Sequence, residues 1–130
     1  AQDKTTAVAL LSCVGLVEEL VERLISEVTA VTSSSPAYFY MMIEAMGDAA
    51  VQSGLPRAAA YRWAAAAMAG SARMVLETGK HPGELKDLVT SPAGTTIEGV
   101  AVLEREGFRS AVIDAMGAVT RRAREIGKNA

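Results

Sequence analysis

The residues best suited to chemistry lie in one short polar run, Thr90-Ser91-Pro92-Ala93-Gly94-Thr95-Thr96, set between two amphipathic segments. Ser91, Thr95 and Thr96 bring three hydroxyls to a place where a helix is expected to begin. A helix start presents unpaired backbone N–H groups and a positive partial charge. The glycine just before it, Gly94, lets a ligand come close to the backbone. Such an arrangement can hold a small anion, a carboxylate for example, as helix starts hold phosphate. The same residues read equally well without a ligand. Thr95-Thr96-Ile97-Glu98 fits a capping box, in which the Thr95 hydroxyl and the Glu98 carboxylate close the helix start themselves. On these residues alone both readings stand.

Little else in the chain offers chemistry. The lone histidine, His81, precedes Pro82 with no Cys/His cluster around it, so no metal site is expected and a helix-capping role is. One cysteine, Cys13, rules out an internal disulfide and fits a reducing compartment. Its apolar neighbours predict a buried, inert thiol. Glu44 and Asp48 stand one helical turn apart, the usual spacing of a solvated face. Neither GxGxxG nor GxxxxGK[ST] occurs, so a self-contained nucleotide-phosphate site is not expected. A single histidine leaves no room for a Ser-His-acid arrangement.

The elements that must position the loop are helices. With 130 residues, half of them hydrophobic, the chain is long enough for one domain with a core. A formal charge of −2 gives no basic excess for nucleic acid. No apolar run reaches the ~18 residues of a membrane span, and no leader pattern stands at the start, which points to a cytoplasmic protein. The opening AQDKTT, without methionine, suggests an excised piece. Ala7, Leu10, Val14, Val17, Val21, Leu24, Val28 and Val31 recur at steps of three and four, predicting a long first helix over 1–31, with Gly15 as a point of bend or break. Ser33–Ser35 before Pro36 predict the start of a second helix burying Phe39, Met42, Ile43 and Met46. A third, alanine-rich helix starts near Pro56 and stops at Gly79. Pro82 opens a short one, Thr95 another that ends at Gly107, and a last helix runs from Arg109 to Ile126. It is expected to bury Val112, Ile113, Met116, Val119, Ala123 and Ile126. No strand pattern competes. The expected fold class is all-α, about six helices, in one domain over 1–130. The long seam and the all-round apolar third helix predict a homodimer.

The run ETGKHPGELKDLVTSPAGTTIEGVAVLEREGFRSAVIDAM resembles the C-terminal half of Δ1-pyrroline-5-carboxylate reductase, whose hallmark there is an HPGxLKDxVTSPGGTTIxGLxxLE-like string. SPAYFYMMIEAMGDAAVQSGLPRAAAYRWA is similar to its SGSGPAY…IEA…GLPxxxAY segment. The resemblance implies an NAD(P)H-dependent imine oxidoreductase of proline biosynthesis. It implies a helical domain that dimerises by interlacing helices, alone or within a higher oligomer, beside an N-terminal Rossmann domain that holds the cofactor. It also implies that Ser91, Gly94, Thr95 and Thr96 hold the carboxylate of pyrroline-5-carboxylate or proline, and that the Thr96 hydroxyl reaches the ring nitrogen as the catalytic contact. The part matched is the dimerisation and substrate-binding domain, with residues 32–130 family-like.

Three departures qualify what the resemblance implies. The cofactor-binding half is absent from this sequence, so the isolated chain is expected to bind no cofactor and to be inactive. Where the family ends that half with a VGEVVEV-type strand, VGLVEELVERLISEV carries a helical pattern, expected to close the cut end within the bundle. The family's glycines before PAY stand here as Ser33 and Ser35, and the first glycine of SPGGTT as Ala93. An alternative reading is therefore an engineered or excised helical homodimer acting only as a scaffold, with the loop serving as a plain cap.

Overall fold

The computed structural model describes residues 2–128. All regular elements among them are helical. They run α1 (Gln2–Leu11), a 3-10 turn (Glu22–Leu24), α2 (Ile25–Thr29), a π-helical turn (Ala30–Ser34), α3 (Ser35–Gln52), α4 (Arg57–Thr78), α5 (Pro82–Leu88), α6 (Thr95–Arg105) and α7 (Phe108–Lys128).

The first helix is not the long rod that the seam predicts. It ends at Leu11 in a turn through Ser12, Cys13 and Val14, and residues 16–21 are neither helix nor turn. Val21 has extended backbone angles, φ −71 and ψ 136. The expected helical closure of a cut end is thus overturned. Gly15 costs a helix about 1 kcal/mol relative to alanine, and most helical stability in proteins comes from packing an amphipathic face. No helix packs on α1 among the described residues, and the seam gains a neighbour only from α2 onward, where α2 lies against α7. Without that packing Gly15 prevails. Cys13 shares the consequence: it is exposed rather than buried, and its Sγ donates only to the Ala9 carbonyl, at 3.4 Å.

Pro36 stands in the first turn of α3, as expected, but that start is not a free one. The chain is already helical before it, with Ser34 and Ser35 both in right-handed helical conformation. A proline ring inside an α-helix collides with the carbonyl four residues back, here that of Thr32. The wider π turn over Ala30–Ser34 relieves this. Ser35 Oγ donates to the Val31 carbonyl at 2.5 Å, and Thr32 Oγ1 and Thr29 Oγ1 fold back on Val28 and Ile25 in the same way. Hydroxyls turned back on carbonyls often bend helices, and three do so within seven residues where α2 passes into α3.

From there α3 and α4 form an antiparallel hairpin. Gly54 takes φ +92 to leave α3, Leu55 N–H returns to the Ala50 carbonyl at 3.0 Å, and Pro56 precedes the first residue of α4. Gly47 on α3 is buried beneath the Tyr61 ring on α4, so close that a Cβ there would overlap the ring. Arg57 ties the pair, with Nη1 2.5 Å from Asp48 Oδ1 and 2.7 Å from the Tyr61 hydroxyl. These bonds hold the Arg57 pKa above its ordinary value, chiefly through Asp48. Gly79, at φ +64, closes α4 by donating to the Val75 carbonyl at 3.0 Å. The α3–α4 hairpin packs on α5 and the π turn, while α6 packs on α7 and α7 on α2 and the π turn. Among the described residues the α3–α4 hairpin and the α6–α7 pair do not pack on one another.

Little of the chain is buried by these contacts. Among the described residues the buried hydrophobic ones are Ala30, Ala60 and Ala64, and no large side chain is fully enclosed. Phe39, Met46, Ile113 and Ile126, expected in the core, are all exposed, whereas Met42, Ile43, Val112, Met116, Val119 and Ala123 are half-buried. The accessible surface is 10232 Å². A compact monomer of this mass would expose about 6,600 Å².

Candidate functional site

The loop before α6 is built around a tight turn. Gly94 N–H donates to the Ser91 carbonyl at 3.0 Å across Pro92 and Ala93. Proline at the second position and a left-handed residue at the third define a type II turn. The left-handed residue is Ala93, at φ +56, the only non-glycine among the described residues with positive φ. That conformation costs an L-residue roughly 1–2 kcal/mol. Gly94 is required on steric grounds instead. A Cβ there would overlap Ser91 Oγ and come within 3.1 Å of the Ser91 carbonyl oxygen.

Gly94 then serves as the N-cap of α6, with φ −82 and ψ 167 and no side-chain cap. The capping-box expectation is overturned here. Thr95 is already the first residue of the helix, and neither its hydroxyl nor the Glu98 carboxylate engages the helix start. The turn decides this, because its extended exit at Gly94 places the helix boundary one residue earlier than the Thr95–Glu98 pattern requires. As a result the N–H groups of Thr95, Thr96 and Ile97 have no partner within their own helix. The hydroxyls of Ser91, Thr95 and Thr96 likewise make no hydrogen bond among the described residues, and all three residues are exposed. Thr90 is not available to join them, since its Oγ1 donates to the Lys86 and Asp87 carbonyls at the end of α5.

The structure therefore brings together Gly94, Thr95 and Thr96 at the helix start. Ser91 stands across the turn, its Oγ lying against Gly94. The charge-free hydroxyls and the positive end of α6 suit a carboxylate. Glu98, exposed one turn into the helix, opposes it through solvent. His81 meets its expectation as a cap: its Nδ1 accepts from Gly83 N–H at 3.0 Å. Asp48 is half of an ion pair rather than a free solvated carboxylate, whereas Glu44 is exposed.

The sequence reasoning missed one long-range contact. Arg124 on α7 donates through Nε, at 3.1 Å, and Nη2 to Glu27 Oε1 on α2. The other carboxylate oxygen, Oε2, is enclosed with no hydrogen-bond partner among the described residues. Arg124 holds the Glu27 pKa below its ordinary value. Ninety-seven residues separate the two, and no local pattern signals such a pair. Among the described residues no group of His, Cys, Asp and Glu could hold a metal ion, and no helix is long and apolar enough to cross a membrane. Nor do they contain a strand running into a glycine-rich turn, the usual cradle of a dinucleotide, so a nicotinamide cofactor does not fit this chain taken alone.

An all-helical unit with far more surface than a monomer needs belongs to the class of helical assembly domains. The particular family follows from comparison. Residues 22–126 match the family described as pyrroline-5-carboxylate reductase dimerisation, and the chain belongs to that family. Over 128 residues it is 52% identical to the pyrroline-5-carboxylate reductase of Escherichia coli (strain K12), covering 98% of this chain and 48% of that protein. The enzyme of the same name from Synechocystis is 52% identical over 122 residues, 94% of this chain and 46% of that protein. The chain spans about half the length of these relatives. Among solved structures, a Plasmodium falciparum pyrroline carboxylate reductase with NADP bound superposes with a TM-score of 0.90 at 30% identity, over 98% of this chain and 51% of that one.

Proposed function

We propose that this chain is the dimer-forming and substrate-binding part of a pyrroline-5-carboxylate reductase, an NAD(P)H-dependent enzyme of proline biosynthesis in the cytoplasm. The observation that carries the reading is the open start of α6, where three N–H groups and the Thr95 and Thr96 hydroxyls lie uncommitted. In this reading those N–H groups and the Thr95 hydroxyl bind the carboxylate of the cyclic imine, and Gly94 gives it access to the backbone. Ser91 lines the far side of the turn. Thr96 donates its hydroxyl toward the ring nitrogen and so fixes which face of the C=N bond is presented. The nicotinamide cofactor, held by protein outside these 130 residues, supplies the hydride. What these residues contribute is orientation and electrostatics.

Homodimer formation belongs to the same reading, supported by the excess surface and by the family to which the chain belongs. The scaffold alternative loses one of its three grounds, the reworked helical first segment, since residues 16–21 are not helical.

The test is an amide-shift titration of the chain with L-proline. Saturable shifts at Thr95, Thr96 and Ile97 are expected, and no shift at millimolar ligand would leave only the scaffold. With NADPH and pyrroline-5-carboxylate the isolated chain is expected to show no oxidation of the nucleotide.

A further inference from the structure

Thr90 is the one hydroxyl residue of the loop that is already committed, and its commitment bears on the others. Its Oγ1 lies 3.1 Å from both the Lys86 and the Asp87 carbonyl oxygens, and its N–H donates to the Asp87 carbonyl at 3.2 Å. The last carbonyls of a helix have no partner within it, so one residue closes the end of α5 with main chain and side chain together. Thr90 is half-buried, whereas Ser91, Pro92 and Ala93 after it are exposed.

We propose that Thr90 is a positioning residue of the carboxylate site, its hydroxyl fixing the exit from α5 so that Ser91 and Gly94 stand ready for a ligand that Thr90 itself does not touch. The inference rests on the carboxylate reading above and adds the residue that orients the site. Three observations converge on it. Among the described residues α5 and α6 do not pack on one another, so the connector over residues 89–94 alone relates them. Within that connector, the Thr90 hydroxyl makes the only side-chain hydrogen bonds to either helix among the described residues. The main-chain bonds then run in relay: Asp87 holds Thr90, the next residue Ser91 holds Gly94 through its carbonyl at 3.0 Å, and Gly94 is the N-cap of α6.

The relay has little slack. Ser91 Oγ and carbonyl lie so close to Gly94 that a Cβ there would overlap the hydroxyl, so a shift at residue 91 is passed on to the N–H groups of Thr95 and Thr96. Its other end is anchored, because α5 packs on α4 and its start is closed by His81. The β-branch of threonine restricts χ1, which keeps the hydroxyl on the α5 carbonyls. A site ordered in this way before the ligand arrives has less freedom to lose on binding.

The test is the L-proline titration of the wild type, Thr90→Val and Thr90→Ser, read at the Thr95 and Thr96 amides. Thr90→Val keeps the shape and removes the hydroxyl, while Thr90→Ser keeps the hydroxyl. Thr90→Val should raise the dissociation constant about three- to tenfold, the worth of one hydrogen bond, and should speed hydrogen exchange at the Gly94 amide in the free chain. Thr90→Ser should restore both to within about twofold of the wild type. A residue that only closes α5 would change the melting temperature and leave the affinity alone. Unchanged affinity in Thr90→Val therefore overturns the inference and leaves the carboxylate site standing, and so does an equal loss in Thr90→Ser, which would trace to the methyl group instead. If Thr90→Val does not fold, Thr90→Ala takes its place, with no methyl set against the carbonyls and the same expected loss. No binding by the wild type overturns the carboxylate reading and this inference together.

Discussion

The starts of α5 and α6 lie thirteen residues apart and solve the same physical problem in opposite ways. Both helices begin with N–H groups that lack intrahelical partners. At α5 the chain closes its own end: Pro82 removes one donor, and His81 Nδ1 accepts from Gly83. At α6 Gly94 stands as N-cap with no side chain to offer, and the threonines follow inside the helix. The strain at Ala93 and the steric need for glycine at position 94 both serve the open start, not the closed one. The α6 start is left uncapped where two threonines stand close by, and the one string HPGELKDLVTSPAGTT contains a helix start of each kind.

The sharpest way to break the comparison is Gly94→Ala. Its Cβ would meet Ser91 Oγ and carbonyl, so the Ser91 side chain must rotate and the turn must shift, and the proline-induced shifts at Thr95 and Thr96 should shrink or disappear, with affinity down about tenfold on loss of a charge-assisted contact. Thr96→Val keeps the shape and removes one hydroxyl. It should weaken carboxylate or ring-nitrogen recognition by up to about tenfold, roughly the worth of one hydrogen bond, without changing the melting temperature appreciably. His81→Ala tests the closed start. It should cost about 1 kcal/mol of stability, the usual value of a cap, visible in thermal unfolding, and leave ligand shifts untouched. Ala93→Gly should stabilise by a few tenths of a kcal/mol, the relief of left-handed strain being largely offset by glycine's unfolded-state entropy.

The last comparison is a control away from both starts. Arg124 lowers the Glu27 pKa, so the folded state prefers the ionised carboxylate. The stabilisation it gives is present above the ordinary glutamate range and is lost as pH falls through the depressed folded value. The melting temperatures of the wild type and Glu27→Gln should therefore differ at neutral pH and converge in acid. Arg124 is exposed and Glu27 partly so, so the difference should be modest and should shrink with added salt. The ligand site should not respond.

How far the sequence could be read depended on the range of the interaction. Gly54 with Pro56, Gly79, and His81 with Pro82 act within one turn of helix, and their signals were legible. The loop's place in the family string was legible as well. The role of Thr95 was not, because Thr-x-x-Glu describes a capping box only if threonine is the N-cap, and the backbone angle at Gly94 assigns that place to the glycine. The Glu27–Arg124 pair was illegible for a plainer reason, since nothing local joins residues that far apart.

By itself the sequence determined that the chain is helical, roughly where α3 to α7 lie, and to which family it belongs, since periodicity, caps and long motifs are written locally. Only the tertiary structure decided that the N-terminal seam is not one helix, that Cys13 is exposed and that many of the large apolar side chains stay exposed in the single chain. Periodicity shows which face of a helix would be buried. Whether it is buried depends on another surface being there to cover it, and in this chain much of that surface is missing.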